Sequence, residues 1–349
     1  MELLIAYSDD HKKHRPPVGS THPENPLRLQ IAIEALRSSG MWDKANILIP
    51  EKASLDNVFT VHDSEYVELI REVSRRGGGY VDLDTYVSPE TFDVALMACG
   101  AAIQGVRILC ERGSALFLSL LRPPGHHAGR CGRALGAPTL GFCIFNNVAM
   151  AAKYAEEAMK LRPIVIIDID VHHGNGTQEI FWNDANVIHV DIHEHGIYPG
   201  TGDVEECGGI EARGTKINIP LPHYSNDDDY IYVWKEIVEP LILTVKPRMI
   251  MLSLGFDAYL NDGLASMNVT SKFFTFAAGS LALMAKRFLG TLAVLEGGYT
   301  IGLREGLPAF VKGYIEPQLD IEYRAEPHRS TRIIVARVRK VLREFLGVL

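Results

Sequence analysis

Seven short apolar runs set the tightest limit on what this chain can fold into. They are Leu3–Tyr7, Ala115–Ser119, Ile164–Asp168, Val187–Val190, Ile217–Ile219, Met249–Ser253 and Leu292–Leu295. Apart from Asn218 in Ile217–Ile219 and His189 in Val187–Val190, their interiors are apolar, so strands made from them have little face to give to water. Between them lie amphipathic helical stretches. One follows Pro26, carries Leu29, Ile33 and Leu36 on one face, and stops near Gly40. Others are predicted over Ser64–Arg75, Glu90–Glu111, Asn146–Lys160, Asp227–Val245 and Ser271–Phe288. Doubly buried strands alternating with helices make an α/β protein with a parallel sheet covered on both faces. No linker rich in Gly, Ser or Pro divides the 349 residues, and the Gly77–Gly79 run reads as a loop inside one large domain.

Composition narrows the function classes. The formal charge is −8, and charged residues make up 22% of the chain, a balance that points away from bulk nucleic-acid binding. Nothing approaches 18 consecutive apolar residues, and Met1–Tyr7 runs into Asp9 and Asp10 too soon for a signal peptide, so a cytoplasmic protein with no membrane partner is expected. Five cysteines without CxxC spacing argue against a disulfide framework and a cysteine zinc site. Thirteen histidines is a high number, and four of them form the pairs His126-His127 and His172-His173.

In an open parallel sheet, ligands bind beyond the carboxyl ends of the strands. The polar motifs stand there: Arg122-Pro-Pro-Gly-His-His-Ala128, Asp168-Ile-Asp-Val-His-His-Gly-Asn-Gly176, Gly255-Phe-Asp257 and Glu296-Gly-Gly-Tyr299. If the segment after Ile164–Ile167 stays extended, Asp168, Asp170 and His172 point to one side. Two carboxylates and an imidazole without a basic partner call for a cation, and the O,N donor set suits Zn²⁺ or a similar divalent ion. Asp257 completes the best ligand set, Asp170, His172 and Asp257, leaving open positions for water and substrate. The His126-His127 pair then has proton transfer to do, with Asp168 orienting one ring and Asn175 the other. Tyr299, in a Gly-Gly turn, can polarise a carbonyl. The set describes metal-assisted hydrolysis of an amide.

These residues resemble the histone deacetylase superfamily, which includes acetylpolyamine amidohydrolases. The likeness runs from His22-Pro-Glu-Asn-Pro-Leu-Arg28 to Tyr299 and also takes in Gly141-Phe-Cys143 and Tyr198-Pro-Gly-Thr-Gly202. It implies the arginase–deacetylase fold, a single three-layer α/β domain on a mostly parallel sheet of about eight strands. It implies one zinc on Asp170, His172 and Asp257, His127 as general base and acid, His126 as its electrostatic partner with Asp168, and Tyr299 on the carbonyl. Gly141, Phe142 and Tyr198 would line a channel for an acylated amine, with Leu264 near its mouth. Asp84 would be a rim aspartate that holds a peptide backbone, and Arg28 would border an internal cavity. A potassium site over Asp168, Asp170, His172, Asp191 and Ile192 is also implied.

Departures from the family pattern sharpen these expectations. Asn175 stands where class I members have Asp, so His127 should stay a free base at neutral pH. Asp191 replaces a common Ser and adds charge in favour of a monovalent cation. The loop Ala128–Leu140 is longer than in eukaryotic members and carries Arg130 and Arg133; it is either a basic cover over the pocket or a solvated loop. Leu264, seven residues past Asp257, is not the acidic gatekeeper of polyamine enzymes. Nε-acetyl-lysine in protein or peptide is therefore the leading substrate, and small acetylated amines are the alternative. A dimanganese ureohydrolase would need more carboxylates, and a catalytically silent acyl-lysine-binding module would lack a ligand, base or tyrosine that this chain keeps.

The C-terminal stretch 324–349 holds seven basic and two acidic side chains, which leaves −13 for the rest of the chain. Ile334, Val338, Val341 and Phe345 recur at helical spacing. A last helix packed on the domain is the favoured reading. A basic helix for an acidic partner, lipid or nucleic acid is the other, and self-association is left open.

Overall fold

All seven apolar runs become strands of one sheet, and an eighth strand joins them at its edge. The computed structural model describes residues 1–318 and 325–347. In chain order the strands are β1 (Glu2–Ala6), β2 (Ala45–Leu48), β3 (Ala115–Ser119), β4 (Ile164–Asp168), β5 (Val187–Glu194), β6 (Lys216–Leu221), β7 (Met249–Leu254) and β8 (Thr291–Leu295). They lie in the order β6-β5-β4-β7-β8-β3-β1-β2, with every neighbouring pair parallel. The sequence reading missed β2 because this edge strand exposes Asn46 and Ile47 and so shows no apolar run. It cut β5 and β6 short where buried polar residues break the apolar run, Asp191, His193 and Glu194 in β5 and Lys216 in β6, and β6 also runs on through Pro220 and Leu221.

Successive strand residues feed two separate cores, as the period of two requires. Leu3, Ile5, Ile250 and Leu252 face one layer of helices, among them α1 (Leu27–Ser38) and α4 (Ser271–Met284). Leu4, Ala6, Met249 and Met251 face the other, with α2 (Thr91–Arg112) and α3 (Asn147–Glu157). Helix α2 is long and apolar enough to cross a bilayer by length and composition, but 78% of its most apolar window is buried inside the domain, which accounts for its character. The stretch Asp227–Val245 is not one regular helix. It widens to a π-turn over Trp234–Val238, just where Pro240 offers no N–H to the carbonyl of residue 236. Gly79 of the Gly77–Gly79 run pairs with Val87 in a two-residue ladder.

The last helix, α5 (Arg329–Leu346), packs beside β6. Its buried stripe is Thr331, Val335, Val338 and Leu342, displaced from the predicted stripe except at Val338, while Ile334, Val341 and Phe345 lie half-buried at its margin. Two of its arginines pair outward, Arg337 with Glu205 and Arg339 with Glu236. Residues 324 and 348–349 of the predicted basic stretch lie outside the described residues.

The next strands in the chain, β5 and β6, run to one side of β4, and β7 lies on the other. The carboxyl ends of β4 and β7 therefore open a crevice where the strand order reverses, the usual place for a ligand on such a sheet.

Candidate active site

Strand β4 ends at Asp168, and the chain then turns instead of continuing extended. The convergence predicted from i, i+2, i+4 geometry is achieved by that turn. Asp168 Oδ1 accepts from the Asp170 N–H at 3.1 Å, and Asp170 Oδ1 accepts from the His172 N–H at 2.9 Å. Each carboxylate fixes the backbone two residues on, as Asp does in turns. The turn splits the motif into two sets. Asp170 and His172 face Asp257 from the end of β7, and Asp168 faces His126 and Asp191.

In the first set, His172 Nδ1 lies 3.2 Å from both Asp170 Oδ1 and Asp257 Oδ2. The candidate ligand atoms of Asp170, His172 and Asp257 all lie within 4.8 Å of one another. Asp170 Oδ2 accepts from the Gly297 N–H at 2.7 Å and Asp257 Oδ1 from the Val171 N–H at 3.0 Å, so both carboxylates are aimed by backbone groups. Asp257 Oδ2 is buried, and apart from the approach of His172 it has no hydrogen-bond partner. Gly297 makes the crowding feasible, since a Cβ there would lie 2.2 Å from Asp257 Oδ2. Burial and the neighbouring Asp170 charge push the Asp257 carboxyl up to about 6. His172, against the effect of burial, is raised to about 10 by its bonds to Asp170 and Asp257. This is the behaviour of an anionic cluster short of a cation.

The paired histidines take the two orienting partners expected. His126 Nδ1 lies 3.0 Å from Asp168 Oδ2, and His127 Nδ1 lies 2.8 Å from Asn175 Oδ1. Their environments separate them. Burial opposes charge on His126, but Asp168 and Asp170 outweigh it and raise its pKa well above the usual value. Burial, then the charges of His126 and His172, press His127 well below it. The surroundings favour the charged form of His126 and the neutral form of His127.

His127, His172 and Tyr299 line a cavity of about 210 Å³ together with Asp84, Gly141, Phe142, Tyr198 and Leu264. Tyr198 packs edge-on to His127, with ring centroids 4.9 Å apart, and Phe142 stands edge-on to Tyr299 at 6.1 Å. Burial raises the Tyr299 phenol well above its ordinary pKa, so it keeps its proton. The Asp84 carboxylate accepts from the hydroxyls of Thr85 at 2.8 Å and Thr139 at 2.6 Å, so both of its oxygens are engaged within the chain. A larger cleft of about 690 Å³ lies beside Phe59, Asp63, Tyr66 and Cys131, and none of its bordering residues belongs to a ligand cluster among the described residues.

The long loop 128–140 is a built element. Ala128–Gly129 pairs with Gly132–Arg133, Glu179 accepts from the N–H groups of Arg130 and Leu135, and Thr139 ties it to Asp84. Arg130 pairs with Asp63 at 3.2 Å, Cys131 donates to the same carboxylate, and Arg133 turns back to the Pro138 carbonyl. Neither arginine borders the cavity, which goes against the basic cover, one of the loop's two readings.

Several contributors were not legible as site residues. Glu24 is fully buried and gathers Arg122, Arg28, His14 and Tyr86. Arg28, predicted beside an internal cavity, donates from Nε to the Gly298 carbonyl at 2.7 Å and also to the Glu296 carbonyl, bracing the Gly-Gly-Tyr turn. Glu296 Oε2 accepts from the N–H groups of Gly125 and His126 and locates the histidine loop. His189 is buried with both ring nitrogens unpartnered, and its Nε2 lies 3.6 Å from Asp191 and 3.9 Å from Asp168. Asp168, His189 and Asp191 form a second group able to hold an ion. The predicted neighbour Ile192 follows Asp191 in β5, buried. The signal for His189 was a polar residue inside an apolar strand, which a periodicity reading discards, and Glu24 stands inside the His22–Arg28 motif without any local pattern that assigns it a partner.

The family model for a histone deacetylase domain matches residues 22–313. An uncharacterised protein of Methanocaldococcus jannaschii is 45% identical over 99% of this chain and 98% of its own length. A probable deacetylase of Archaeoglobus fulgidus is 38% identical over 85% of this chain and 81% of its own. The crystal structure of the HDA15 HD domain superposes with a TM-score of 0.88 at 28% identity, covering 99% of this chain and 96% of that one.

Proposed function

The chain belongs to the histone deacetylase family and is a deacetylase on that ground, and from this premise we propose a zinc-dependent amidohydrolase that removes acetyl groups from Nε-acetyl-lysine in proteins or peptides. The observation that carries the proposal is the meeting of Asp170, His172 and Asp257 with a neutral His127 and a protonated Tyr299 around one narrow cavity.

Two carboxylates and an imidazole, with Asp257 Oδ2 buried and approached only by His172, fit a borderline divalent ion. Bound there, zinc would supply a Lewis acid and an activated water. The rest follows from the chain's own groups. Asn175 Oδ1 accepts from His127 Nδ1, which leaves Nε2 as the free base. That nitrogen takes a proton from the attacking water and returns it to the departing amine. His126, held cationic by Asp168, adds a fixed positive field beside the developing negative charge. The Tyr299 hydroxyl donates to the acetyl carbonyl, and Phe142 and Tyr198 exclude water around the substrate's aliphatic stem.

The reading includes potassium beside Asp168, Asp170, His172, Asp191 and Ile192, supported by the buried Asp168–Asp191 pair and the unpartnered His189. It also includes a cytoplasmic location, supported by five unpaired cysteines. Leu264 at the cavity gives no negative charge to hold a second ammonium, which supports acetyl-lysine. The engaged oxygens of Asp84 favour a second reading, small acetylated amines that present no peptide backbone.

The deciding experiment pairs metal analysis with rates on a fluorogenic acetyl-lysine peptide, acetylputrescine and acetylspermidine. One zinc per chain and fastest peptide turnover are expected. Faster acetylpolyamine turnover would install the second reading, and bound metal with no turnover would point to a binding module.

A further inference from the structure

We infer that Asp262 is the positioning residue for Tyr299, and that it ties the tyrosine to the loop carrying the ligand Asp257. Asp262 is only 4% exposed. Its Oδ2 accepts from the Tyr299 N–H at 2.7 Å, and its Oδ1 accepts from the N–H groups of Thr300 and Gly302, both at 2.8 Å. The Thr300 hydroxyl donates to the Asp262 carbonyl at 3.2 Å. One carboxylate thus collects three consecutive-turn amides at the point where the chain leaves the Gly-Gly turn. Charge-assisted bonds of this kind are stronger than neutral ones and directional.

The placement gives these bonds a job beyond satisfying amides. Gly297 and Gly298 allow the backbone to pass close to the ligands, with Gly298 at φ +106°, but two successive glycines leave the following residue loosely defined. Tyr299 is then located from three sides. Asp170 holds the Gly297 N–H, Arg28 holds the Gly298 carbonyl and lies over the Tyr299 ring at 4.9 Å, and Asp262 holds the Tyr299 N–H itself. Asp262 is five residues beyond Asp257, and its own N–H closes a turn on the Tyr259 carbonyl at 3.0 Å. Leu264 of the cavity wall follows two residues later. One short loop therefore carries a metal ligand, the tyrosine's anchor and part of the channel. A phenol misplaced by about 1 Å can cost on the order of 100-fold in rate.

The inference rests on the carbonyl-polarising role assigned to Tyr299, and a double-mutant cycle separates the two. Rates on the acetyl-lysine peptide are measured for wild type, Asp262→Asn, Tyr299→Phe and the double variant, each with metal content and KM. Asp262→Asn should lower kcat by about 10- to 100-fold with zinc content and KM unchanged, and should cost little further in the Tyr299→Phe background. In metal-free protein, hydrogen exchange at the amides of 299, 300 and 302 should quicken in Asp262→Asn, without global unfolding. An equal loss from Asp262→Asn in both backgrounds would make it a general structural residue and overturn the inference. Unchanged amide exchange would overturn it independently of any rate. A full rate for Tyr299→Phe would instead bring down the role of the tyrosine itself.

Discussion

Two clusters of buried oxygen atoms sit at opposite ends of neighbouring strands, and the chain neutralises them differently. At the amino end of β6, Lys216 is fully buried, and its ammonium donates to the Val187 carbonyl at 2.8 Å, the Asp184 carbonyl at 3.1 Å and the Thr215 hydroxyl at 2.7 Å. Around the carboxyl ends of β4 and β7, with Asp191 beside them inside β5, Asp168, Asp170, Asp191 and Asp257 gather with no lysine or arginine in the two ligand groups. The first place carries its own cation and is complete on folding. The second gathers more carboxylates than the cation-favouring His126 and His172 balance, which suits an ion from outside. Structural polar clusters close on themselves, and functional ones are left open.

The largest expected effect breaks the open cluster. Asp257→Ala should weaken zinc by more than the roughly 100-fold typical of losing a supporting residue. It should also abolish the rise in melting temperature that added zinc gives wild type, read by calorimetry. A variant that still gains stability from zinc would move the ion away from Asp257. Next comes the helix packed on the other face of β6 from Lys216. Deletion from Ser330 onward exposes the groove that buries Val335, Val338 and Leu342, each worth about 1.5–3 kcal/mol. That approaches the whole stability of a domain, so loss of soluble folded protein is expected. A folded, active truncation would return α5 to the partner-binding reading.

Two smaller effects test Lys216 directly. Lys216→Met strands three acceptors and should cost about 1–3 kcal/mol in urea unfolding, with metal content unchanged. Burial pushes the Lys216 pKa down to about 7. Its folded value is thus below its unfolded one, so from about pH 7 upward the unfolded chain holds the extra proton and the Lys216 contribution to stability rises with pH. The raised pKa of His126 works in the opposite sense over the same range. Lys216→Met should therefore make the slope of stability against pH above about pH 7 more negative than in wild type. An unchanged slope would mean that the ammonium is not the group responsible.

The same contrast explains what the sequence made legible. Strands β3, β4, β7 and β8 were readable because burial on both faces leaves an unbroken apolar run, and the motifs were readable because they begin where such runs stop. Asp170, His172, Asp257, His126, His127 and Tyr299 followed from their position at strand ends. What stayed hidden was polar chemistry inside elements: Lys216 and His189 within strands, Glu24 beneath a proline-rich motif, and Asp262 in a loop with no distinctive spacing. Their roles depend on partners distant in the chain, 98 residues away for Glu24 and Arg122, and no local pattern encodes that. Edge strand β2 stayed hidden for the opposite reason, since it is half in water.

The braced loop 128–140 has a practical use. Cys131 is the one exposed thiol among the five cysteines, the others being buried or half-buried. Its Sγ donates to Asp63 at 3.0 Å, and that bond raises the thiol's pKa, so alkylating reagents should react slowly at neutral pH and faster when the contact to Asp63 opens. A fluorophore attached there would report the breathing of the loop that reaches, through Thr139, to the channel rim.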